Sequence, residues 1–123
     1  MKRRVVITAL GTINAIGHNV EETWQSILEG KNGIGEITLF AADNQRPYLV
    51  GEVKDFHPED HLPPKEAKRL DRTMVFGLVA AQEAWNQSGL DETSFDHDRF
   101  GTFVTSGIGG LNTINEESKK AHL

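Results

Sequence analysis

No cysteine occurs among the 123 residues. That absence removes disulfides, thiolate metal sites and cysteine nucleophiles from the chain, and it fits a reducing, cytoplasmic setting. Equally absent is any apolar run of ~18 residues, the length that a membrane-spanning helix requires. The opening Met1–Ile7 holds too short an apolar stretch for a signal peptide. Positive charge is outnumbered, with 13 Lys and Arg against 18 Asp and Glu. The net charge of −5 disfavours general nucleic-acid binding, which draws its affinity from neutralised phosphates. It leaves room for a local basic patch facing an acidic partner. No internal repeat, low-complexity tract or interdomain linker is visible. What is present, 37% hydrophobic and 25% charged residues, describes one ordinary domain able to bury a core.

The periodicity alternates between strand and helix patterns, which predicts an α/β fold. Residues 4–10, RVVITAL, are β-branched and nearly continuously apolar, as expected of a central strand covered on both faces. Asn19, with Glu22 three positions later, predicts a helix start. Val20, Trp24, Ile27 and Leu28 fall on one side of that helix, and Gly30 ends it. Gly33, Gly35 and Pro47 break regularity over residues 31–62, where 48–53 form a short strand interrupted or bulged at Gly51. A long helix is predicted from Pro63-Pro64 to about Ser88, stopped by Gly89 and buried through its apolar middle. Its first turns carry Lys65, Lys68, Arg69 and Arg72, which read either as a solvated face or as a docking patch. A polar connection over 90–99 leads to a strand at 101–105, a glycine turn and a final helix from about Asn112.

None of these segments carries a complete catalytic motif. Gly107-Ile108-Gly109-Gly110 fails the dinucleotide fingerprint, because Asn112 stands where the third glycine belongs, and the Gly-Lys-Ser/Thr ending of a P-loop is missing. A tight strand-to-helix turn with close packing is the simpler reading. Of His18, His57, His61, His97 and His122, only His57 and His61 stand four apart, and Pro58 and Pro63 oppose a helix that would align them, so solvated histidines are expected. Glu59 and Asp60 are neighbours in an irregular stretch and do not aim at one bond; Ser106 has no base beside it in sequence. The residues alone describe an α/β domain without a self-contained active site, a metal or a cofactor.

Five pieces, in order and spacing, carry a resemblance. RRVVITALG, EETWQSILEGKNGIG, GEVKDFHPED, KEAKRLDR before the long helix, and SGIGGL after a strand together resemble the opening part of the β-ketoacyl-(acyl carrier protein) synthase II family, condensing enzymes of fatty-acid synthesis. The resemblance covers essentially residues 1–123 and implies the N-terminal part of a thiolase-like domain, cytoplasmic and homodimeric in its full form. It departs from the family pattern at Ala9, where glycine is usual, and at INAIG (13–17), where Ser-Pro or Thr-Pro is usual. A non-catalytic chain-length or carrier-binding partner of a ketosynthase therefore stays open beside an elongating synthase. Catalysis in the family uses a cysteine and two histidines, all beyond the last residue here, so this chain alone is expected to be inactive in condensation. Two features carry over by motif. Ile108 matches the acyl-chain pocket, and Lys65, Lys68 and Arg69 match the patch that docks the acidic acyl carrier protein. Half a sheet would also leave open strand edges and an apolar face prone to self-association.

Overall fold

The computed structural model describes residues 2–40 and 48–121; Pro47 and His122, which figure in the expectations above, lie outside them. The elements in chain order are helix α1 (Val20–Leu28), strand β1 (Ile34–Glu36), strand β2 (Leu49–Gly51), helix α2 (Pro64–Ala67), helix α3 (Arg72–Ser88) and helix α4 (Leu111–Ala121). Single 3-10 turns lie at Pro58–Asp60, Leu90–Glu92 and His97–Arg99.

α1 starts as its sequence predicts. Asn19 Oδ1 accepts from the Glu22 amide at 2.8 Å, and the Glu22 carboxylate reaches back to the amide of His18 at 2.8 Å, one residue earlier than a standard capping box. Ser26, buried on this helix, donates to the Ile16 carbonyl at 2.6 Å and ties α1 to the preceding loop. Within that loop Asn14 donates to Thr23 Oγ1 at 2.9 Å and accepts from the Ile16 amide at 2.9 Å. The INAIG segment is thus a side-chain-stapled turn, closed by the antiparallel bridge between Asn14 and Gly17.

The short strand at 48–53 is present as β2, and its partner is a segment whose glycines hid it. β1 and β2 pair antiparallel with Ile34 opposite Gly51, Gly35 opposite Val50 and Glu36 opposite Leu49. The ribbon ends at a buried carboxylate. Glu52, 6% exposed, accepts from Thr38 Oγ1 at 2.7 Å and from the Leu39 amide at 2.8 Å. The Thr38 hydroxyl, followed by the amides of Thr38 and Leu39, holds the Glu52 carboxyl below its ordinary value of 4.5.

The long helix departs from expectation in two ways. It is broken: α2 is four residues, and α3 begins afresh after Asp71, whose backbone is extended (φ −64°, ψ 148°) and whose carboxylate accepts from the Thr73 amide at 2.9 Å. An aspartate that bonds the amide two residues on competes with helix continuation and caps a new one instead. Nor is the middle of α3 buried; Val75 is enclosed, while Met74 is 58% and Leu78 47% exposed. Gly89 ends α3 in the left-handed region at φ 66° as predicted. The connection that follows is less polar than it reads, since Phe95 and Phe100 pack edge-on against Trp85 with ring centroids 6.3 and 5.8 Å away.

Neither expected core strand forms a ladder among the described residues. Residues 4–10 and 101–105 carry no pairing, and Val5, Ile7, Phe103 and Val104 are exposed. β-branched composition favours a strand only where a neighbouring strand accepts its amides and carbonyls. Among the described residues the sole sheet is the β1–β2 ribbon. The consequence shows in total area. The chain exposes 10808 Å², whereas a folded monomer of 13.6 kDa exposes roughly 6,600 Å².

What fixes the N-terminal segment is α3. The Glu83 carboxylate accepts from the Thr12 amide at 2.9 Å and the Val20 amide at 2.8 Å, and Gln87 Oε1 accepts from the Leu10 amide at 2.7 Å. The approach is so close that a Cβ at Gly11 would overlap the Ala80 carbonyl oxygen. Replacing Glu83 by Ala leaves both amides without their charged acceptor and is expected to lower stability by about 1–3 kcal/mol, read as a lower urea midpoint with faster exchange at Thr12 and Val20. Because the Glu52 carboxyl is depressed in the folded chain, its stabilisation is complete above the ordinary value of 4.5 and is lost as pH falls through the folded value. Glu52→Gln should therefore flatten the acid limb of a stability-against-pH curve, and an unchanged acid limb would contradict this account.

Candidate functional site

The two sequence-derived features, the basic cluster and the glycine turn, meet the structure at the α2–α3 corner. Pro64 opens α2, and the chain then tightens through Arg69 N–H to Glu66 O at 2.9 Å and Leu70 N–H to Glu66 O at 3.1 Å. Lys65, Lys68 and Arg69 are exposed there, and among the described residues none is ion-paired with a carboxylate.

Arg72, fourth in the cluster by sequence, faces the other way. Its Nη2 donates to the Val53 carbonyl at 2.7 Å, and its guanidinium lies over the rings of Phe76 and Phe56, 4.8 and 5.7 Å from their centroids. Phe56, 5% exposed, is the hub of this packing. His61 stacks on it with centroids 5.0 Å apart and an interplanar angle of 12°. His18 meets its edge at 5.6 Å while its Nε2 lies 2.8 Å from the Lys54 carbonyl oxygen. The expectation of solvated histidines therefore holds for His61 and His97, which are exposed although one face of each packs on a ring, His97 4.5 Å from Phe95, and is corrected for His18, which is half-buried; an imidazole is flat and apolar enough on its faces to pack against phenyl rings. His57 is exposed. Among the described residues no three His, Asp or Glu side chains gather in a metal-binding group.

The glycine turn is held from the same corner. Gly109 and Gly110 have φ 26° and 72°, conformations that suit glycine, and α4 starts directly after them, with Ile114 N–H bonded to Gly110 O at 3.0 Å. Gly110 N–H donates to Thr73 Oγ1 at 3.3 Å, and Thr113 Oγ1 donates to Asp71 Oδ2 at 2.7 Å. The Thr113 hydroxyl and then the Thr73 amide hold the Asp71 carboxyl below its ordinary value of 3.8. A cleft of about 310 Å³ lies between this pair of helix starts, bounded by Asp71, Thr73, Phe76 and Gly109–Asn112. Ile108 stands outside it, 73% exposed. Ser106 is likewise exposed, with no histidine bonded to it among the described residues. Glu59 and Asp60 lie exposed on the 3-10 turn before α2.

A larger cleft of about 640 Å³ runs between the start of α1 and α3, lined by His18, Glu22, His61, Glu66 and Glu83. Its residues run from His18 to Asn86 and share no motif, so nothing in the one-dimensional pattern announces it.

Residues 2–122 match the β-ketoacyl synthase N-terminal domain, and the chain belongs to that family. Among individual proteins it is similar to 3-oxoacyl-[acyl-carrier-protein] synthase 2 from Synechocystis sp., 43% identical over 116 residues, and to the protein of the same name from Staphylococcus aureus strain COL, 42% identical over 118 residues. These alignments cover 94% and 96% of this chain but 28% of each relative. The chain matches the N-terminal region of such synthases and spans little more than a quarter of their length.

The geometry separates structural from surface cations. Arg72→Ala should cost about 1–3 kcal/mol through a lost hydrogen bond and two lost ring contacts, whereas Lys65→Ala, Lys68→Ala and Arg69→Ala should each stay within about 0.5 kcal/mol. Thermal melts of the four variants test this, and an Arg72 variant as stable as the other three would refute the inward placement.

Proposed function

We propose that the chain is the opening part of a 3-oxoacyl-(acyl carrier protein) synthase, which elongates fatty acyl chains by decarboxylative Claisen condensation with malonyl-acyl carrier protein. The observation that carries this reading is the family match across residues 2–122 joined to relatives of that name. The surplus of exposed surface supports it, because a segment that contributes strands and helix faces to a larger thiolase-like body displays those faces when alone. In this reading the cysteine that accepts the acyl group, and the two histidines that promote decarboxylation and stabilise the developing charge, come from the remainder of a cytoplasmic, homodimeric protein. Residues 1–123 bind and shape rather than react. Lys65, Lys68 and Arg69 receive the acidic carrier protein, and Ile108 borders the acyl chain.

The carrier assignment rests on charge that is exposed and, among the described residues, not spent on internal pairing, the condition for long-range steering of an acidic partner. In the complete synthase, the double change Lys65→Glu and Arg69→Glu is expected to raise KM for acyl-carrier substrates roughly tenfold or more, and to weaken the salt dependence of that step. Turnover of a small acyl thioester lacking the carrier should be unaltered. Unchanged carrier affinity after both reversals would remove the patch from the binding surface. A protein that binds the carrier with this same salt dependence yet condenses nothing would instead be the non-catalytic partner.

A further inference from the structure

Asp71 occupies a position that no motif assigns. Its two carboxylate oxygens serve different helices: Oδ1 accepts from the Thr73 amide in the first turn of α3, and Oδ2 accepts from the Thr113 hydroxyl in the first turn of α4. Both helix starts present unsatisfied amides and the positive end of a helix dipole, so one negative charge stabilises two termini at once. The turn Gly107–Gly110 enters α4 at this point. Its last residue is fixed from the α3 side by Gly110 N–H to Thr73 Oγ1 at 3.3 Å. A Cβ at Gly109 would lie 3.2 Å from Thr73 Cγ2, and one at Gly110 would lie 3.6 Å from Asp71 Cγ. Upstream, Asp71 follows Arg69 by two residues, in the break between α2 and α3.

We infer that Asp71 is a positioning residue for the acyl-chain end of the site: by clamping the starts of α3 and α4 it sets the conformation of the glycine turn, and so where the Ile108 side chain stands. The inference rests on the proposed synthase function for its substrate, an acyl chain, but the clamp itself does not. Asp71 touches neither carrier nor acyl chain. Its effect passes through Thr73 and Thr113 to Gly110 and then to Ile108.

Two readouts test this. The first needs no substrate: in Asp71→Ala the Gly109 and Gly110 amide resonances should shift and exchange faster, with Asp71→Asn, which keeps an acceptor for the Thr73 amide, closer to the unaltered protein. The second compares kcat/KM for short and long acyl chains in the complete synthase. Asp71→Ala should change that ratio roughly tenfold, the size that pocket reshaping gives, while KM for the malonyl substrate is unaltered and Asp71→Asn restores most of the ratio. Ile108→Phe, placed directly at the pocket, should move the same ratio without shifting the Thr113 resonances. Glycine amides indifferent to Asp71→Ala would overturn the clamp, and an equal loss at every chain length would overturn its role in selection. If the unaltered synthase elongates no acyl chain, the functional reading fails with its acyl-chain corollary, whereas the glycine resonances still decide the clamp.

Discussion

Helix α3 seated against the backbone of Gly11 is the constraint on which the rest of the structure depends. Only a residue without Cβ allows the loop to lie against the Ala80 carbonyl, and at that distance the amides of Thr12 and Val20 become part-buried. They need acceptors of fixed position. Glu83 and Gln87, one helical turn apart on α3, supply them to Leu10, Thr12 and Val20. One carboxylate thereby serves both the loop and the first turn of α1, so the orientation of α1 follows from that of α3. The loop between them closes with its own side chain, Asn14, rather than with an Ser-Pro or Thr-Pro pair.

The opposite end of α3 repeats the device. Asp71 serves the start of its own helix and the start of α4, as Glu83 serves a loop and the start of α1. In both cases an acid sits at a helix N-terminus, where the dipole favours it, and in both it joins segments far apart in sequence. Val75 and Phe56 are the buried apolar residues among those described, too few to hold these segments by packing alone. Polar clamps, together with the Phe56 cluster of His18, His61, Arg72 and Phe76, carry organisation that a larger core would normally supply.

Local signals were legible in the sequence, and relations between distant segments were not. The Asn19 cap, the Gly30 and Gly89 stops and the final helix follow from rules that act within four residues, and each stands where it was expected. The break at Asp71 was missed because Pro63-Pro64 and the apolar run after it fit one helix equally well, and the choice is made by a carboxylate bonding forward to Thr73. β1 was missed because Gly33 and Gly35 erase the apolar alternation, so the strand exists through its pairing with β2 and not through its composition. Of the basic cluster, sequence showed four cations. The inward turn of Arg72 depends on Phe56, sixteen positions away, which periodicity cannot register.

The segments 4–10 and 101–105 mark the other limit of local reasoning. Their composition describes strands buried on both faces, and that property belongs to a sheet rather than to a segment. Without neighbours the backbone has no ladder to join and Val5, Ile7, Phe103 and Val104 stay in water. Had the composition been misleading, these residues would be expected to fold back onto the apolar side of α1 or the middle of α3. Instead the strand-like segments, the α1 face of Trp24, Ile27 and Leu28, and the α3 residues Met74 and Leu78 are exposed together. Apolar surface left on a sheet-forming segment and on two amphipathic helices at once is the pattern of layers separated from their partners. The excess of roughly 4,000 Å² over a folded monomer of this mass is of the size buried in obligate interfaces. Strand-like composition and amphipathic helix faces thus leave unburied the apolar surface that a free-standing domain of this mass would enclose.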